Sequence, residues 1–435
     1  MLFPDHVLDE LEKGLAGTAG LRLASVGVDV DPLEFVRAAH DSASSSVFFG
    51  RPGGFEIGAI GSVWEAAVAS GDGRLRRLAA QVPDLPGARF LLGYSFEADG
   101  PTGAEWADYG PVRLVLPSAA VVREGGSTKL VVAVDGDPAS GVVPLLRSLR
   151  PAGLRRRRHA AVRSIESVPA PGEWMDSVEE AVAAIGRGPL EKVVLARSVV
   201  VSSDVATDPF DLAVRLRSGY PGCFTYAWET GSGSFVGASP ELLASVRGTG
   251  VFSEPLAGTT ARGEGEDDDR TLGEQLMASS KNRHEHRIVI DDIVRRLDDL
   301  TDHLEIPSTP MLRRMTNIQH LSTRIRGVLH AGIGILDVVE ALHPTPAIGG
   351  SPADEALAAI AKLEMMDRGW YSGGIGWIGP DGDGDVAVAL RCALLRGSTA
   401  RLFAGAGIVA GSDAQSELEE TRLKFGPMLS LLTEA

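Results

Sequence analysis

The stretch KVVLARSVVV, residues 192–201, decides the fold class that the sequence predicts, because a run so rich in valine is typical of a buried β-strand. Further strands of this kind are predicted in CFTYAWE (223–229), SFVGASPELLASV (234–246), DVAVALRCALL (385–395) and RLFAGAGIVAG (401–411). Helices are predicted between the strands, at residues 209–216, 272–300, 335–342, 351–367 and 413–425. Strand hairpins separated by helices, without a strict βαβ alternation, predict an α+β fold: a large layered sandwich of antiparallel sheets flanked by helices.

The first part of the chain, residues 1–150, alternates short apolar runs with glycine, proline and aspartate turns. We therefore expect it to supply strands of an antiparallel sheet in the same layered fold, with one helix over residues 63–81. Residues 151–172 are rich in turn-forming residues and carry the basic run Arg155–Arg158, so they are predicted to be a linker. The richer pattern of residues 173–435 then forms the catalytic region.

The composition excludes several classes of function. The chain has 435 residues, 44% of them hydrophobic, which is enough for a large core. Its net charge of -16 repels phosphate backbones, so nucleic acid is not an expected partner. Two cysteines, Cys223 and Cys392, argue against a disulfide framework and favour a reducing compartment, the cytoplasm. No apolar stretch approaches the roughly 18 residues of a membrane span.

One acidic residue lies in line with a predicted buried helix face. Val289, Ile293 and Leu297 recur every fourth residue and form an apolar stripe, and one turn before them the same stripe reaches Glu285. Glutamate is rarely buried without a partner. The spacing therefore predicts that Glu285 binds a cation or another charged group.

A second acidic pair lies near the end of the chain. Glu417, Glu420 and Lys424 are spaced i, i+3 and i+7, so they share one face of the predicted helix 413–425. Spacing alone favours an exposed ion pair of Glu420 with Lys424, which would contribute only a few tenths of a kcal/mol. The alternative is a joint site of both helices for a hard cation such as Mg²⁺, which prefers carboxylate oxygens.

Two glycine patterns resemble nucleotide-binding fingerprints. GGIGWIG, residues 373–379, leads into a turn and a strand instead of a helix. AGAGIVAG, residues 404–411, follows a strand and precedes a helix, but only 25 residues remain after Ala410, too few for the rest of a dinucleotide-binding unit. The favoured alternative is that exposed backbone N–H groups here cradle an anion such as a carboxylate.

Nine segments in collinear order, spanning about residues 173–432, together resemble the chorismate-utilising enzymes, and among these most closely the isochorismate synthases. The segments are EKVVLARS, SPELL, EPLAGTTARG, KNRHEH, HPTPAIGG, DRGWYSGGIGW, VALRCALL, AGAGIVAGS and ELEETRLK. The resemblance implies the chorismate-binding fold of anthranilate synthase component I. It also implies a Mg²⁺-dependent isomerisation of the substrate chorismate, in which water adds at C2 while the C4 hydroxyl leaves.

The resemblance also implies roles for particular residues. Lys192 matches the family's general base, which must be neutral, and the apolar residues that follow it favour the uncharged form. Glu241 matches the general acid, which needs a raised pKa to protonate the departing hydroxyl. Glu285 and Glu420 match the direct ligands of Mg²⁺, and Glu417 contributes through water. The residues implied in substrate binding are Arg391, Lys424, Tyr371, His343, Thr345, Ala347 and Ile348, with the backbone of Gly258, Gly405, Ala406 and Gly407.

The loop HPTPAIGG distinguishes between members of this family. Anthranilate and aminodeoxychorismate synthases carry an SGAPK-like run in its place and draw ammonia from a glutaminase partner, so no glutaminase subunit is expected and a monomer is. Thr345, Pro346, Ala347 and Ile348 favour a reaction that stops at isochorismate. Two alternatives stay open: a salicylate synthase that goes on to eliminate pyruvate, and a non-catalytic chorismate-binding protein. A menaquinone and a siderophore pathway fit equally well.

The sequence departs from the family's pattern in two places. Asn282 stands where the family usually has aspartate, although this position is not an expected ligand. Gly426 and Pro427 are expected to interrupt the last helix early, because proline lacks the N–H that a helix interior needs. Neither departure removes a residue with an implied catalytic role.

Overall fold

The computed structural model describes residues 1–17, 20–66, 68, 70–136, 141–153, 161–231 and 233–433. The basic run Arg155–Arg158 therefore lies outside the described residues. In chain order the strands are β1 (Leu21–Gly27), β2 (Ser46–Gly50), β3 (Glu56–Ile60), β4 (Trp64–Ala66), β5 (Phe90–Tyr94), β6 (Val112–Leu116), β7 (Ala119–Glu124), β8 (Ser127–Asp135), β9 (Val162–Val168), β10 (Lys192–Ser203), β11 (Phe224–Thr230), β12 (Gly233–Ser239), β13 (Leu242–Arg247), β14 (Gly250–Glu254), β15 (Leu256–Ala261), β16 (Thr301–Glu305), β17 (Met311–Arg314), β18 (Ile318–Ser322), β19 (Ile325–Leu329), β20 (Gly350–Ser351), β21 (Gly374–Ile378), β22 (Gly384–Val388), β23 (Cys392–Arg396) and β24 (Thr399–Val409). The helices are α1 (Asp5–Gly14), α2 (Pro32–Ala39), α3 (Arg74–Ala79), α4 (Val143–Ser148), α5 (Pro171–Ile185), α6 (Pro209–Gly219), α7 (Glu266–Ala278), α8 (Ser280–Asp298), α9 (Ile335–Leu342), α10 (Ala353–Leu363) and α11 (Ala414–Thr433).

Two large antiparallel sheets organise the described residues. The first has 12 strands in the order β1-β8-β7-β3-β2-β11-β12-β23-β24-β10-β20, with β9 also paired to β10. The second has nine strands in the order β16-β19-β14-β13-β22-β21-β5-β6-β4, and β15, β18 and β17 form a small third sheet. In both large sheets, strands from residues 1–150 pair with strands from the rest of the chain: β2 with β11 and β5 with β21.

The segment predicted to be a linker is in part a strand. Residues 162–168 form β9, which pairs with β10 along six positions from Ser198 to Ser203. The strand sequence VRSIESV contains valine and isoleucine, but the turn-forming residues on both sides of it favour the prediction of a linker. The division of the chain into domains remains a prediction.

The two large sheets face each other across a core of aromatic side chains. Trp228 and Phe235 of the first sheet contact Trp370, which precedes β21, with ring centroids 5.2 and 6.3 Å apart. Helices cover the outer faces: α2 and α6 lie on the first sheet, and α8 and α9 on the second. The predicted α+β sandwich of antiparallel sheets with flanking helices is thereby confirmed.

Two local predictions of helix were wrong. Residues 63–81 contain strand β4 and the short helix α3, because β4 pairs with β6 and the carboxylate of Glu340 accepts the backbone N–H groups of Gly73 and Leu75 at 2.8 and 2.7 Å. The last helix, α11, is not interrupted at Gly426 and Pro427 but continues to Thr433. Phe425 and Met428 are buried against the first sheet, and this burial offsets the cost of the missing N–H.

The described residues contain no helix long and apolar enough to cross a membrane. Both cysteines, Cys223 and Cys392, are buried free thiols.

Truncation of an inner aromatic side chain tests the packing between the sheets. Phe235 is fully buried and contacts Trp106, Tyr226 and Trp370. We expect Phe235→Ala to lower the free energy of unfolding in urea by about 3–5 kcal/mol, because it leaves a cavity between two sheets that cannot collapse. Met311→Ala, at a side chain that is 50% exposed, serves as the control and should change it by less than about 0.5 kcal/mol. Equal losses in the two variants would contradict this packing.

Candidate active site

A cavity opens beside the central strands β10 and β24. The small third sheet, the first turns of α8, the loop before β20 and the middle of α11 complete its wall. Its lining consists of Val194, Pro240, Glu241, Leu256, Ala257, Gly258, Thr259, Glu285, His320, Ala347, Ile348, Tyr371, Ser372, Leu390, Arg391, Phe403, Ala404, Gly405, Gly407, Glu420 and Lys424. The cavity therefore collects residues from most of the nine sequence segments into one place.

Lys192 begins β10 and is completely buried next to the cavity. Its Nζ donates a hydrogen bond to Oε1 of Glu285, 2.9 Å away, which joins the first strand of the site to α8. On the neighbouring strand, a Cβ at Gly407 would lie 2.5 Å from Oε1 of Glu285 and 3.0 Å from Cε of Lys192. Only glycine leaves room there for this ion pair.

Glu241 is a buried acid in a cavity that also holds cations. It follows Pro240 and directly precedes β13, and only 4% of its surface is exposed. Burial raises the pKa of Glu241 to about 7, although the nearby charges of Lys192, Arg391 and Lys424 act in the opposite direction. A carboxyl group with such a pKa holds a proton in half of the molecules at neutral pH and can donate it.

Three carboxylates of α8 and α11 each contact a lysine. Glu285 binds Lys192, Glu420 binds Lys424 at 2.6 Å, and Glu417 binds Lys281 at 2.8 Å. Among the residues that the structure describes, no group of three or more histidine, cysteine, aspartate or glutamate side chains is placed so that it could hold a metal ion. The lysines thus neutralise the carboxylates in this structure.

The same three carboxylates also act together on the ammonium group of Lys281. Burial disfavours the charged form of Lys281, but its bond to Glu417 and the charges of Glu417, Glu285 and Glu420 outweigh burial and raise its pKa. Burial, and next the charge of Glu420, raise the pKa of Glu417. These donors are hard oxygen atoms close enough to repel one another, which is the chemistry that Mg²⁺ compensates. The types of these donor residues suit such an ion, although in this structure each carboxylate is paired with a lysine.

The guanidinium group of Arg391 is a positive charge that is available to bind a ligand. Its guanidinium forms no hydrogen bond or salt bridge within the described part of the chain, and burial lowers its pKa. Its backbone is left-handed, with φ of 51°, a conformation that costs a non-glycine residue free energy. Ser372, with φ of 62°, also lines the cavity. Strained residues at both positions indicate that the cavity wall has a function beyond packing.

Lys424 reaches the cavity from α11. Its Nζ donates to the carbonyl oxygen of Gly405, 2.8 Å away, as well as to Glu420. Tyr371 stacks on Phe403, with ring centroids 5.4 Å apart. Together these contacts fix one cation and one aromatic ring against the middle of β24.

Five residues with implied roles do not themselves line the cavity. They are Lys192, His343, Thr345, Ala406 and Glu417. His343 is partly buried, with Nε2 3.1 Å from the carbonyl oxygen of Phe96, and desolvation lowers its pKa to about 3. The carbonyl of Thr345 accepts the N–H groups of Ile348 and Gly349, so Thr345 shapes the loop that carries Ile348. The side chain of Ala406, on β24, is buried in the hydrophobic cluster that also contains Leu195 and Ile408.

Several residues that line the cavity were not predicted from the sequence, and His320 is the most informative of them. It lies on β18 with Nδ1 3.1 Å from Oγ1 of Thr259, and burial lowers its pKa well below the ordinary value. Its Nε2 has no hydrogen-bond partner in the described residues. The only signal in the sequence was a histidine inside the apolar run IQHLS, which equally fits a core residue.

Comparison with known proteins identifies the family of this chain. A model of the family "Chorismate binding enzyme" matches residues 21–433. The salicylate biosynthesis isochorismate synthase of Pseudomonas aeruginosa is 37% identical over 357 residues, which cover 79% of this chain and 74% of that protein. The structure of MenF, the menaquinone-specific isochorismate synthase from Escherichia coli, matches with a TM-score of 0.86 at 26% identity, over 98% of this chain and 99% of that one. Anthranilate synthase component I from Streptococcus pneumoniae shares the fold, with a TM-score of 0.73 at 24% identity over 88% and 93% of the two chains.

The chain therefore belongs to the chorismate-binding enzymes. Within that family the proteins reported above include two isochorismate synthases, which confirms the resemblance identified from the sequence motifs. The anthranilate synthase component I fold is confirmed as well.

The raised pKa of Glu241 has a measurable effect on stability. Because its folded pKa is about 7 and its ordinary value 4.5, the stability that this group contributes is fully present below pH 4.5 and is lost as the pH rises through 7. Glu241→Gln does not titrate, so we expect the variant to gain roughly 3 kcal/mol on the natural protein between pH 5 and pH 8. Urea unfolding of both proteins at the two pH values measures this. A difference that stays constant with pH would contradict the raised pKa.

Proposed function

We propose that this protein is an isochorismate synthase, which converts chorismate to isochorismate. The observation that carries the proposal is the placement around one cavity of a buried acid, Glu241, a buried lysine, Lys192, and Arg391, an arginine without a side-chain partner among the described residues. Chorismate carries two carboxylates, so it needs local cations in a protein with a net charge of -16. The isochorismate synthases among the related proteins support the same reaction.

The proposed reaction exchanges one water molecule for another. Arg391 and Lys424 bind the carboxylates of the substrate, the former through its planar fork and the latter as a point charge. Lys192, in its uncharged form and released from Glu285, accepts at Nζ a proton from the water that adds at C2. Glu241 donates its proton to the C4 hydroxyl, which leaves as water while the ring double bonds shift. Substrate and product are isomers, and no further reactant is required.

A divalent cation is the proposed cofactor. Glu285 and Glu420 would bind Mg²⁺ directly, and Glu417 would do so through water. When bound, Mg²⁺ orients and neutralises the ring carboxylate of the substrate. Lys281 and Lys424, which neutralise Glu417 and Glu420 in this structure, leave each carboxylate with a second oxygen atom free of these salt bridges.

The loop before β20 supports isochorismate as the final product. Ala347 and Ile348 line the cavity, and they belong to the run Thr345–Ile348, whose resemblance favours a reaction that stops at isochorismate. A salicylate synthase is the second candidate, and a non-catalytic chorismate-binding protein the third. We further propose that the chain acts in the cytoplasm as a monomer without a glutaminase subunit.

Product analysis of the purified enzyme tests this proposal. With chorismate and Mg²⁺, chromatography should show isochorismate as the product, with salicylate and pyruvate present at no more than a trace. Lys192→Ala and Glu241→Ala should each lower kcat by about 10²–10⁴-fold, because each removes one proton transfer. Lys362→Ala replaces a lysine that is 70% exposed, and it should retain full activity. Salicylate with pyruvate would favour the second candidate, and no turnover by the natural protein would favour the third.

The metal site is tested by one matched pair of substitutions on α11. Glu420→Gln removes a proposed ligand, whereas Glu419→Gln changes a neighbouring side chain that is 52% exposed and bound to Arg422. We expect EDTA to abolish turnover and Glu420→Gln to weaken Mg²⁺ binding by more than about 10-fold, since even outer-shell partners of metal ligands are worth 10–100-fold. Calorimetric titration with Mg²⁺ measures the affinity. Equal affinities in the two variants would contradict the assignment of Glu420.

A further inference from the structure

The edge of β10 that faces away from β24 has a gap in its pairing. Strand β20 covers Lys192 and Val193, and β9 covers residues 198–203, so residues 194–197 have no strand beside them. Unpaired backbone groups in a buried strand are costly, and another group has to satisfy them. The gap lies directly next to the lysine of the active site.

A buried ion pair fills this gap. Glu364 and Arg368 have side chains only 3% and 2% exposed, and Nε of Arg368 donates to Oε2 of Glu364 at 2.9 Å. The Glu364 carboxylate accepts the N–H of Ala196 at 2.7 Å, and Nη2 of Arg368 donates to the carbonyl of Val194 at 2.8 Å. The pair thus offers an acceptor and a donor at the places where a neighbouring strand would.

The same arginine binds the loop that forms one wall of the cavity. Its Nη1 donates to the carbonyl oxygen of Ile348 at 2.8 Å, and the N–H of Val194 donates to the carbonyl of Gly349 at 2.8 Å. A Cβ at Gly350 would lie 2.2 Å from the carbonyl oxygen of Lys192, so loop and strand are in direct backbone contact. One rigid unit therefore contains the strand of Lys192 and the wall formed by Ile348.

We propose that the Glu364–Arg368 pair positions this wall and thereby keeps the product at isochorismate, an inference that rests on the proposed function. Loss of pyruvate from isochorismate breaks the ether bond at C3 and moves the hydrogen on C2 to the methylene carbon of the enolpyruvyl group. Salicylate and pyruvate form, and no other reactant takes part. This transfer requires the enolpyruvyl group to fold over the ring, and a wall fixed at Ile348 prevents that movement.

The planar fork of arginine is essential to this arrangement. Arg368 contacts Glu364 and two carbonyl groups in different directions, whereas the single ammonium of lysine has no fixed fork and a shorter reach. Arg368→Lys therefore keeps the buried charge but loosens the bond to Val194 or to Ile348. Glu364→Gln keeps the shape of the pair and weakens it, which gives a second and milder variant.

The ratio of pyruvate to isochorismate, measured by chromatography after incubation with chorismate and Mg²⁺, tests the proposal. We expect this ratio to rise about tenfold in Arg368→Lys and Glu364→Gln, a change typical of the loss of one hydrogen bond to a charged group. The KM for chorismate should change less than about twofold, because Arg391 and Lys424 are untouched. The ratio does not depend on how much of the variant is folded.

Arg217→Lys is the matched control. Arg217 is also a partly buried arginine in an ion-pair network, with Asp31 and Glu56, and none of these three residues lines the cavity. It should lower the melting temperature without changing the product ratio. An unchanged ratio in both Arg368→Lys and Glu364→Gln would overturn the proposal, and if Arg368→Lys does not fold, Glu364→Gln decides. A natural protein that makes no isochorismate at all would instead refute the proposed function.

Discussion

The ladder between β10 and β24 is the constraint on which the site depends. It pairs eleven positions, from Lys192 opposite Val409 to Ser202 opposite Thr399, and it sets Val194 opposite Gly407. Because side chains alternate along a strand, a slip by one residue would turn Lys192 out of its pocket and replace Gly407 beside Glu285 by a larger residue. This apolar ladder is therefore the longest strand pairing of the first sheet, and it also fixes the relative positions of the active-site residues.

Electrostatics gives the cavity its second constraint. An acidic protein that binds a dianion has to concentrate positive charge locally and to stop its own carboxylates from repelling the substrate. In this structure Glu285, Glu417 and Glu420 are each neutralised by a lysine, and Glu241 is half protonated at neutral pH. The guanidinium of Arg391 has no hydrogen-bond or salt-bridge partner among the described residues. Positive charge is thus available inside a protein whose outer surface is strongly negative.

The sequence predicted the layered fold, because valine-rich strands and amphipathic helices leave local patterns. It also pointed to Glu241, Glu285 and Arg391, which stand in motifs with a strong family resemblance. It did not reveal strand β9, the split of residues 63–81 or the role of the wall behind Ile348. These features depend on contacts with distant residues, such as Glu340 with the start of α3 and Arg368 with β10, for which a local pattern carries no signal.

The pairing of early with late strands has a consequence for how the chain is made. β2 and β5 are synthesised long before their partners β11 and β21, and β10 is synthesised long before its partner β24. Such distant pairings delay folding until most of the chain has left the ribosome, and meanwhile open strand edges are exposed to other chains. A fragment that starts at residue 173 would keep all the proposed catalytic groups yet present β11 and β21 as bare edges. We therefore expect that the first 150 residues are needed less for chemistry than for keeping nascent sheets from associating.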